Sequence, residues 1–118
     1  MKNKYIKNID AETSLELAAL VSYQKGQVVS KTLAQNSSVS LTLFAFDQDE
    51  EISSHESGGD AMVVALDGEG LITIDGKEHI LAKGQTIVMP AQKPHAVRAK
   101  TQFKMFLIVV FPQERNEK

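Results

Sequence analysis

Turn signals recur at short intervals through the second half of this chain, and they leave room for little but short strands. Asp67-Gly68 and Asp75-Gly76 each stand between apolar runs. An Asp-Gly pair in that setting is the strongest short hairpin signal, because the favoured tight turn needs residues that tolerate positive φ. Gly84 follows, and then the Pro90–Pro94 loop. Strand-length runs punctuated in this way predict an antiparallel sandwich or barrel. Upstream, Val28–Leu33 and Val39–Phe46 (VSLTLFAF) are rich in β-branched and aromatic residues, which suit a pleated, half-buried surface. Gln35–Ser38 closes the first of them with turn residues.

The stretch Gly84–Ala99, GQTIVMPAQKPHAVRA, carries the best candidate for chemistry. Thr86–Met89 reads as a strand that Pro90 stops by removing a ladder donor. Pro94 stiffens the backbone just before His95. From there the pattern alternates, with His95, Val97 and Ala99 on one face and Ala96, Arg98 and Lys100 on the other. Charge goes to solvent, so the histidine face is the buried one. A buried imidazole needs a partner at each ring nitrogen, a metal or a ligand. The stretch Ile52–Gly70, ISSHESGGDAMVVALDGEG, offers His55 and the carboxylate Asp60. Strand geometry puts Ser53 and His55 on one face, and His55 and His95 are expected to approach each other in one cavity. The remaining histidine, His79, faces Ile72 across the Asp75-Gly76 hairpin and reads as a rim residue. Met62, Met89, Met105, Phe44, Phe46 and Phe106 are core candidates. Of these, Phe46 and Met89 are expected to line the pocket with Ser53 and Val97.

These two stretches resemble the two sequence motifs of the cupin superfamily. The second motif is a glycine, five residues, a proline, one residue, a glycine, two residues and a histidine. Gly84, Pro90 and His95 fall at those offsets, and Gln92 replaces the second glycine. The first motif has two histidines flanking one residue, a glutamate three or four residues on, and then a glycine. Ser53 stands where its first histidine would be, His55 fits the second, Gly68 fits the closing glycine, and the glutamate is missing. Counting forward from His55 puts Asp60 at an allowed glutamate offset, whereas counting back from Gly68 puts Ala61 there. One residue reverses the face of a strand, and a bulge at Ser57-Gly58-Gly59 would reconcile the two counts.

The resemblance, over Val39 to Val109, implies a small single-domain cupin of the conserved-barrel type with an incomplete first motif. Its fold would be all-β, an antiparallel jelly-roll β-barrel (double-stranded β-helix) over 28–111. Both ends of the chain would be peripheral, with one short helical turn near the N-terminus. The family's metal centre uses three histidines and a glutamate; here the inventory is His55, His95 and Asp60. Such ligands suit a divalent transition metal, iron, manganese, nickel, zinc or copper. Two function classes follow: a small-molecule-binding barrel, with or without a divalent metal, and a metal-dependent enzyme of oxygenase or isomerase type. A homodimer is also implied.

Composition narrows the field further. A length of 118 residues suits one domain. The net charge of −2 without a basic cluster points away from nucleic acid. Absence of cysteine removes disulfides, thiolate metal sites and thiol catalysis. The start, MKNKYIKNIDAETS, has no apolar run, which argues against a signal peptide or membrane span and makes a cytoplasmic protein the expectation. Ser53 beside His55 lacks a third orienting group, so a hydrolase reading is weak. Met1–Asp10 reads as a loose end or an added edge strand. In Ala11–Ser22, Asp10 is a candidate N-cap, and a short helical turn followed by a strand is expected. Asp47–Glu51 reads as a solvated acidic turn. Phe103–Phe111, apolar on both faces from Met105 onward, needs core on one side and a partner or another layer on the other; with the Val28–Phe46 strands it predicts the homodimer. Pro112–Lys118 reads as a charged tail.

Overall fold

A computed structural model describes residues 3–113, and five residues of the expected charged tail lie outside them. The chain is all-β and antiparallel. Its strands are β1 Val28–Gln35, β2 Val39–Phe46, β3 Glu51–His55, β4 Asp60–Asp67, β5 Glu69–Ile74, β6 Lys77–Ala82, β7 Thr86–Met89, β8 His95–Ala99 and β9 Phe103–Val110. They form one sheet in the order β1-β2-β9-β4-β7 and a second in the order β3-β8-β5-β6. Strands adjacent in sequence repeatedly cross between the sheets, which is the jelly-roll arrangement.

Alternation sorts each strand between two cores. Phe44, Phe46, Ala61, Val63, Met89, Phe103, Met105 and Val109 face inward from the five-stranded sheet and meet Ile72, Leu81, Val97 and Ala99 from the other. The closed end of this core is tight. Phe46 and Phe103 are fully buried and stack with ring centroids 5.8 Å apart, and a Cβ on Gly70 would lie 2.7 Å from the Phe103 ring.

The Asp75-Gly76 turn has positive φ at both residues, 50° and 81°, and pairs Ile74 with Lys77 and Ile72 with His79. The other Asp-Gly pair corrects the sequence reading. β4 and β5 do not pair with each other; they belong to different sheets. Asp67-Gly68 is therefore a corner and not a hairpin. Gly68 is needed there because its φ is 72° and a Cβ would run into the Gln102 carbonyl oxygen. Close approach and a left-handed turn both select glycine, so the local signal cannot distinguish a corner from a hairpin.

The second core lies on the outer face of the five-stranded sheet, where Val21, Leu33, Leu43 and Ala45 are joined by Ile9, Leu17, Leu20, Tyr23 and Phe106. The N-terminal segment thus supplies the extra layer that the two-faced strands require. It contains a 3-10 turn at Leu17–Leu20, but no strand follows that turn and Asp10 is not its cap. Glu16 precedes the turn, and Val21 returns to extended backbone with φ −130° and ψ 147°. Sheet contact accounts for this: the turn packs on β4 and β9, and Leu17, Leu20 and Val21 join one apolar cluster with Leu43, Leu66 and Phe106, a set that a regular helix with Leu15, Ala18 and Ala19 on one face would not present. Residues 3–10 form no strand either, although Lys7 N–H donates to the Leu33 carbonyl (2.8 Å) and the Asn8 side chain donates to the Thr32 carbonyl (2.8 Å) along the edge of β1. A polar clamp holds the segment down. The Tyr23 hydroxyl donates to Asp67 Oδ2, and Lys104 Nζ donates to the Ala18 carbonyl (2.6 Å) while lying 4.9 Å from the Tyr23 ring centroid. Burial, and then the Asp67 carboxylate, push the Tyr23 hydroxyl well above its ordinary pKa. Among the described residues, no helix is long and apolar enough to cross a membrane.

Candidate functional site

The two histidines meet where β3 and β8 run side by side. His95 opens β8 directly after Pro94 and is 3% exposed; His55 ends β3 and stands exposed at the mouth. They are register partners. Their Nε2 atoms are 3.2 Å apart, with ring centroids at 4.3 Å and planes at 70°.

Backbone carbonyls orient these rings. His95 Nδ1 lies 3.1 Å from the Lys93 carbonyl oxygen, and His55 Nδ1 lies 3.0 Å from that of Ser53. A carbonyl only accepts, so each Nδ1–H is directed at a backbone oxygen and each Nε2 is turned toward the other ring. The two Nε2 atoms meet in a hydrogen bond of 3.2 Å whose donor depends on which ring carries the proton. Burial first, and then His55, hold the His95 pKa below the ordinary histidine value; the Lys93 carbonyl and the Glu56 carboxylate pull more weakly the other way. Burial thus favours the uncharged form of His95.

The pair stands at one end of a cavity of about 370 Å³ between the sheets. Phe44, Ala61, Met89, Met105, Leu107 and Val109 line it from the five-stranded sheet, and Ile52 and Val97 from the other; Glu56 and Ser57 complete the mouth. Its size is that of a small-molecule site, and a mostly apolar wall with a few convergent polar atoms is the usual lining of one.

Not every residue expected at the site is there. Val97 and Met89 line the cavity. Phe46 does not; it fills the closed end beneath it, and its inward neighbour two residues earlier, Phe44, takes the lining position. Ser53 points away and is exposed, because the β3–β8 register shifts between Ile52 and His55. That irregularity puts Ile52 and His55, three residues apart, on the same inner face, so the period-2 count from His55 to Ser53 fails. Ser53 contributes its carbonyl instead. Asp60 is also outside. β4 pairs Ala61 with Val109 and with Met89, so Ala61 faces inward and Asp60 is exposed. The Asp60 carboxylate accepts from Ala91 N–H (2.8 Å) and braces the loop before His95. No bulge reverses this, since Glu56–Gly59 is loop and not strand. Glu56 and Ser57 escaped the sequence reading because face alternation stops where β3 ends.

Gln92 has φ 66°. The position where the resembled motif has its second glycine is a left-handed one, and a side chain is held there at some strain.

The chain belongs to the cupin domain family, whose model matches residues 42–111, more than half of the sequence. It is similar to a conserved protein of unknown function from Streptococcus pyogenes, with 44% identity, 95% of this chain and 98% of that chain covered, and a TM-score of 0.92. It is also similar to a cupin superfamily protein from Desulfitobacterium hafniense, with 36% identity, 92% and 100% of the two chains covered, and a TM-score of 0.88. A salicylate 1,2-dioxygenase from Pseudaminobacter salicylatoxidans shares the fold alone, with 17% identity over 70% of this chain and 26% of that one and a TM-score of 0.64. No curated protein matches the chain.

The family implies a metal, and the donor chemistry of the pair suits one. Metal-bound histidines usually donate their second ring N–H to a carbonyl or carboxylate, as both rings do here. A 3.2 Å separation is compatible with two nitrogens sharing one ion at about 2.1 Å each. Among the described residues, no third histidine, cysteine, aspartate or glutamate joins them in a metal-holding group.

Proposed function

We propose that this protein is a small cupin barrel that binds a small molecule in its interior, anchored by His55 and His95. One observation carries the reading: the buried His95 and His55 at the mouth converge, with their Nε2 atoms 3.2 Å apart, on a mostly apolar cavity of about 370 Å³, the lining usual for a small-molecule site. A ligand or ion that comes between them takes both nitrogens as its anchor. A divalent transition metal (iron, manganese, nickel, zinc or copper) would be held by the same two nitrogens and would supply Lewis-acid polarisation of a bound oxygen. The alternative, a metal-dependent enzyme of oxygenase or isomerase type, uses the same pair, because two protein ligands leave coordination positions open for a substrate.

Native mass spectrometry and metal analysis of protein purified without an affinity tag test the reading, with His55→Ala/His95→Ala as the comparison. The expected result is a bound mass or metal in the natural sequence that the double variant lacks. Stoichiometric occupancy that survives in the double variant would place the site elsewhere.

We further propose a homodimer. The N-terminal segment already covers Phe106 and Leu43, so the surface left for a second copy is the outer row of Met62 and Val88, register partners that are 39% and 48% exposed, with Val110 at 55%.

A further inference from the structure

We propose that the cavity takes a flat, uncharged aromatic molecule the size of a fused ring pair, with its polar group at the histidine end, and that it rejects polyhydroxylated molecules of similar size. The inference rests on the small-molecule reading above and adds the chemical class of the ligand.

The walls decide the class. Among the described residues, every side chain that the strands bring to the cavity is apolar apart from the two histidines. Polar side chains gather at the mouth, where Glu56 and Ser57 join the pair. Backbone groups add little along the walls. Most of the lining comes from β2, β9, β4 and β8, which are interior strands of their sheets, so their N–H and C=O groups are spent in ladders on both sides. A hydroxyl buried against such a wall gives up water and gains no partner, which is unfavourable. A sugar-like molecule would bury several hydroxyls in this way. A ring with one polar group at the mouth buries none.

Volume sets the size. An apolar cavity of about 150 Å³ holds one benzene ring. At about 370 Å³ this one has more than twice that volume, room for a fused ring pair. Ala61 is the smallest side chain that the sheets contribute, and it stands between its register partners Met89 and Val109; the space it leaves receives the second ring. The chemistry of the wall favours aromatic over saturated rings. Phe44 and Met105 are register partners on the lining, and the Phe44 ring is held against Phe46 with centroids 6.0 Å apart and planes at 36°. Met89 and Met105 bring two thioethers to the same wall. Edge-to-face ring contacts and sulfur–ring contacts each add attraction that a saturated ring does not receive.

The test uses the full chain at neutral pH with 2-naphthol, phenol, 2-decalol and glucose as probes. Binding is read by calorimetry and by the NMR shifts of the methionine methyl groups. 2-Naphthol is expected to bind at least about tenfold more tightly than phenol, from the added buried ring, and several-fold more tightly than 2-decalol. Glucose should not bind at the same concentrations. 2-Naphthol should move the Met89 and Met105 methyl signals and leave that of Met62, which is 39% exposed on the outer face. Ala61→Leu should narrow the ratio of 2-naphthol to phenol affinity several-fold; the methyl shifts of the natural chain locate the probe independently of that variant. Equal binding of 2-decalol would overturn the aromatic preference. Glucose binding as tight as 2-naphthol, with the same methyl shifts, would overturn the apolar class. Should no probe move Met89 or Met105, the class is wrong, while a bound mass lost in His55→Ala/His95→Ala would still uphold the small-molecule reading.

Discussion

Filling the cavity should stabilise the protein. Ala61 is the residue to use: it lies on the inner face of β4, is 1% exposed and lines the cavity. Ala61→Leu adds three carbon atoms to a space of about 370 Å³. Each buried carbon contributes about 0.8 kcal/mol, so the three give about 2.4 kcal/mol. Ordering the leucine side chain costs about 0.5–1 kcal/mol, and the net gain is about 1.5 kcal/mol. In a domain of this length 1 kcal/mol moves Tm by about 4 °C, so a rise of about 6 °C is expected by calorimetry. Ala99→Leu is the matched control. Ala99 is also inward and fully buried, but it pairs with Gly70, where an added Cβ would already strike the Phe103 ring. Overpacking there should cost about 1–3 kcal/mol. Opposite signs for the two variants are the predicted outcome. A fall in Tm for Ala61→Leu as large as that for Ala99→Leu would refute the claim that the space between the sheets is open and apolar.

Three further outcomes are expected. Gln92→Gly releases a left-handed residue whose strain is about 1–2 kcal/mol, against a glycine entropy cost of about 0.5–1 kcal/mol; urea unfolding should show a gain of about 0.5–1 kcal/mol, and a loss would mean that the Gln92 side chain stabilises the loop. The folded His95 binds its proton less readily than the unfolded chain does. Stability should therefore rise with pH across the interval from its lowered folded value up to about 6.5 and fall as the pH drops through that interval. His95→Gln should flatten this slope, and a variant that keeps the full slope would assign it to another group. Sedimentation should report a dimer at micromolar concentration that Met62→Glu/Val88→Glu converts to monomer, whereas a natural chain that is already monomeric there would reject the second copy.

Much of the architecture was legible locally. Strand-length runs, the positive-φ demand at Asp75-Gly76 and the proline-braced approach to His95 are each settled within a few residues, since they depend on backbone sterics and side-chain period. Alternation of His95, Val97 and Ala99 against Arg98 and Lys100 pointed to the inner face of β8, where His95 is buried. Whatever depended on an uninterrupted count was not legible. Ser53 was misplaced by the irregular β3–β8 register, and Asp60 by one residue of ambiguity that the pairing of Ala61 with Val109 resolves. Asp67-Gly68 carried a correct glycine signal for a corner instead of a hairpin.

The sequence alone therefore determined the β class, the inner histidine on β8 and the absence of thiol chemistry, because each follows from residue type and short-range geometry. Only the tertiary structure decided that His55 and His95 face each other through their Nε2 atoms, that Ala61 and not Asp60 lines the cavity, and that the N-terminal segment covers the outer sheet. Those outcomes depend on which strands pair and at what register. Pairing joins residues as far apart as His55 and His95, and a shift of a single residue turns a cavity-facing side chain to solvent.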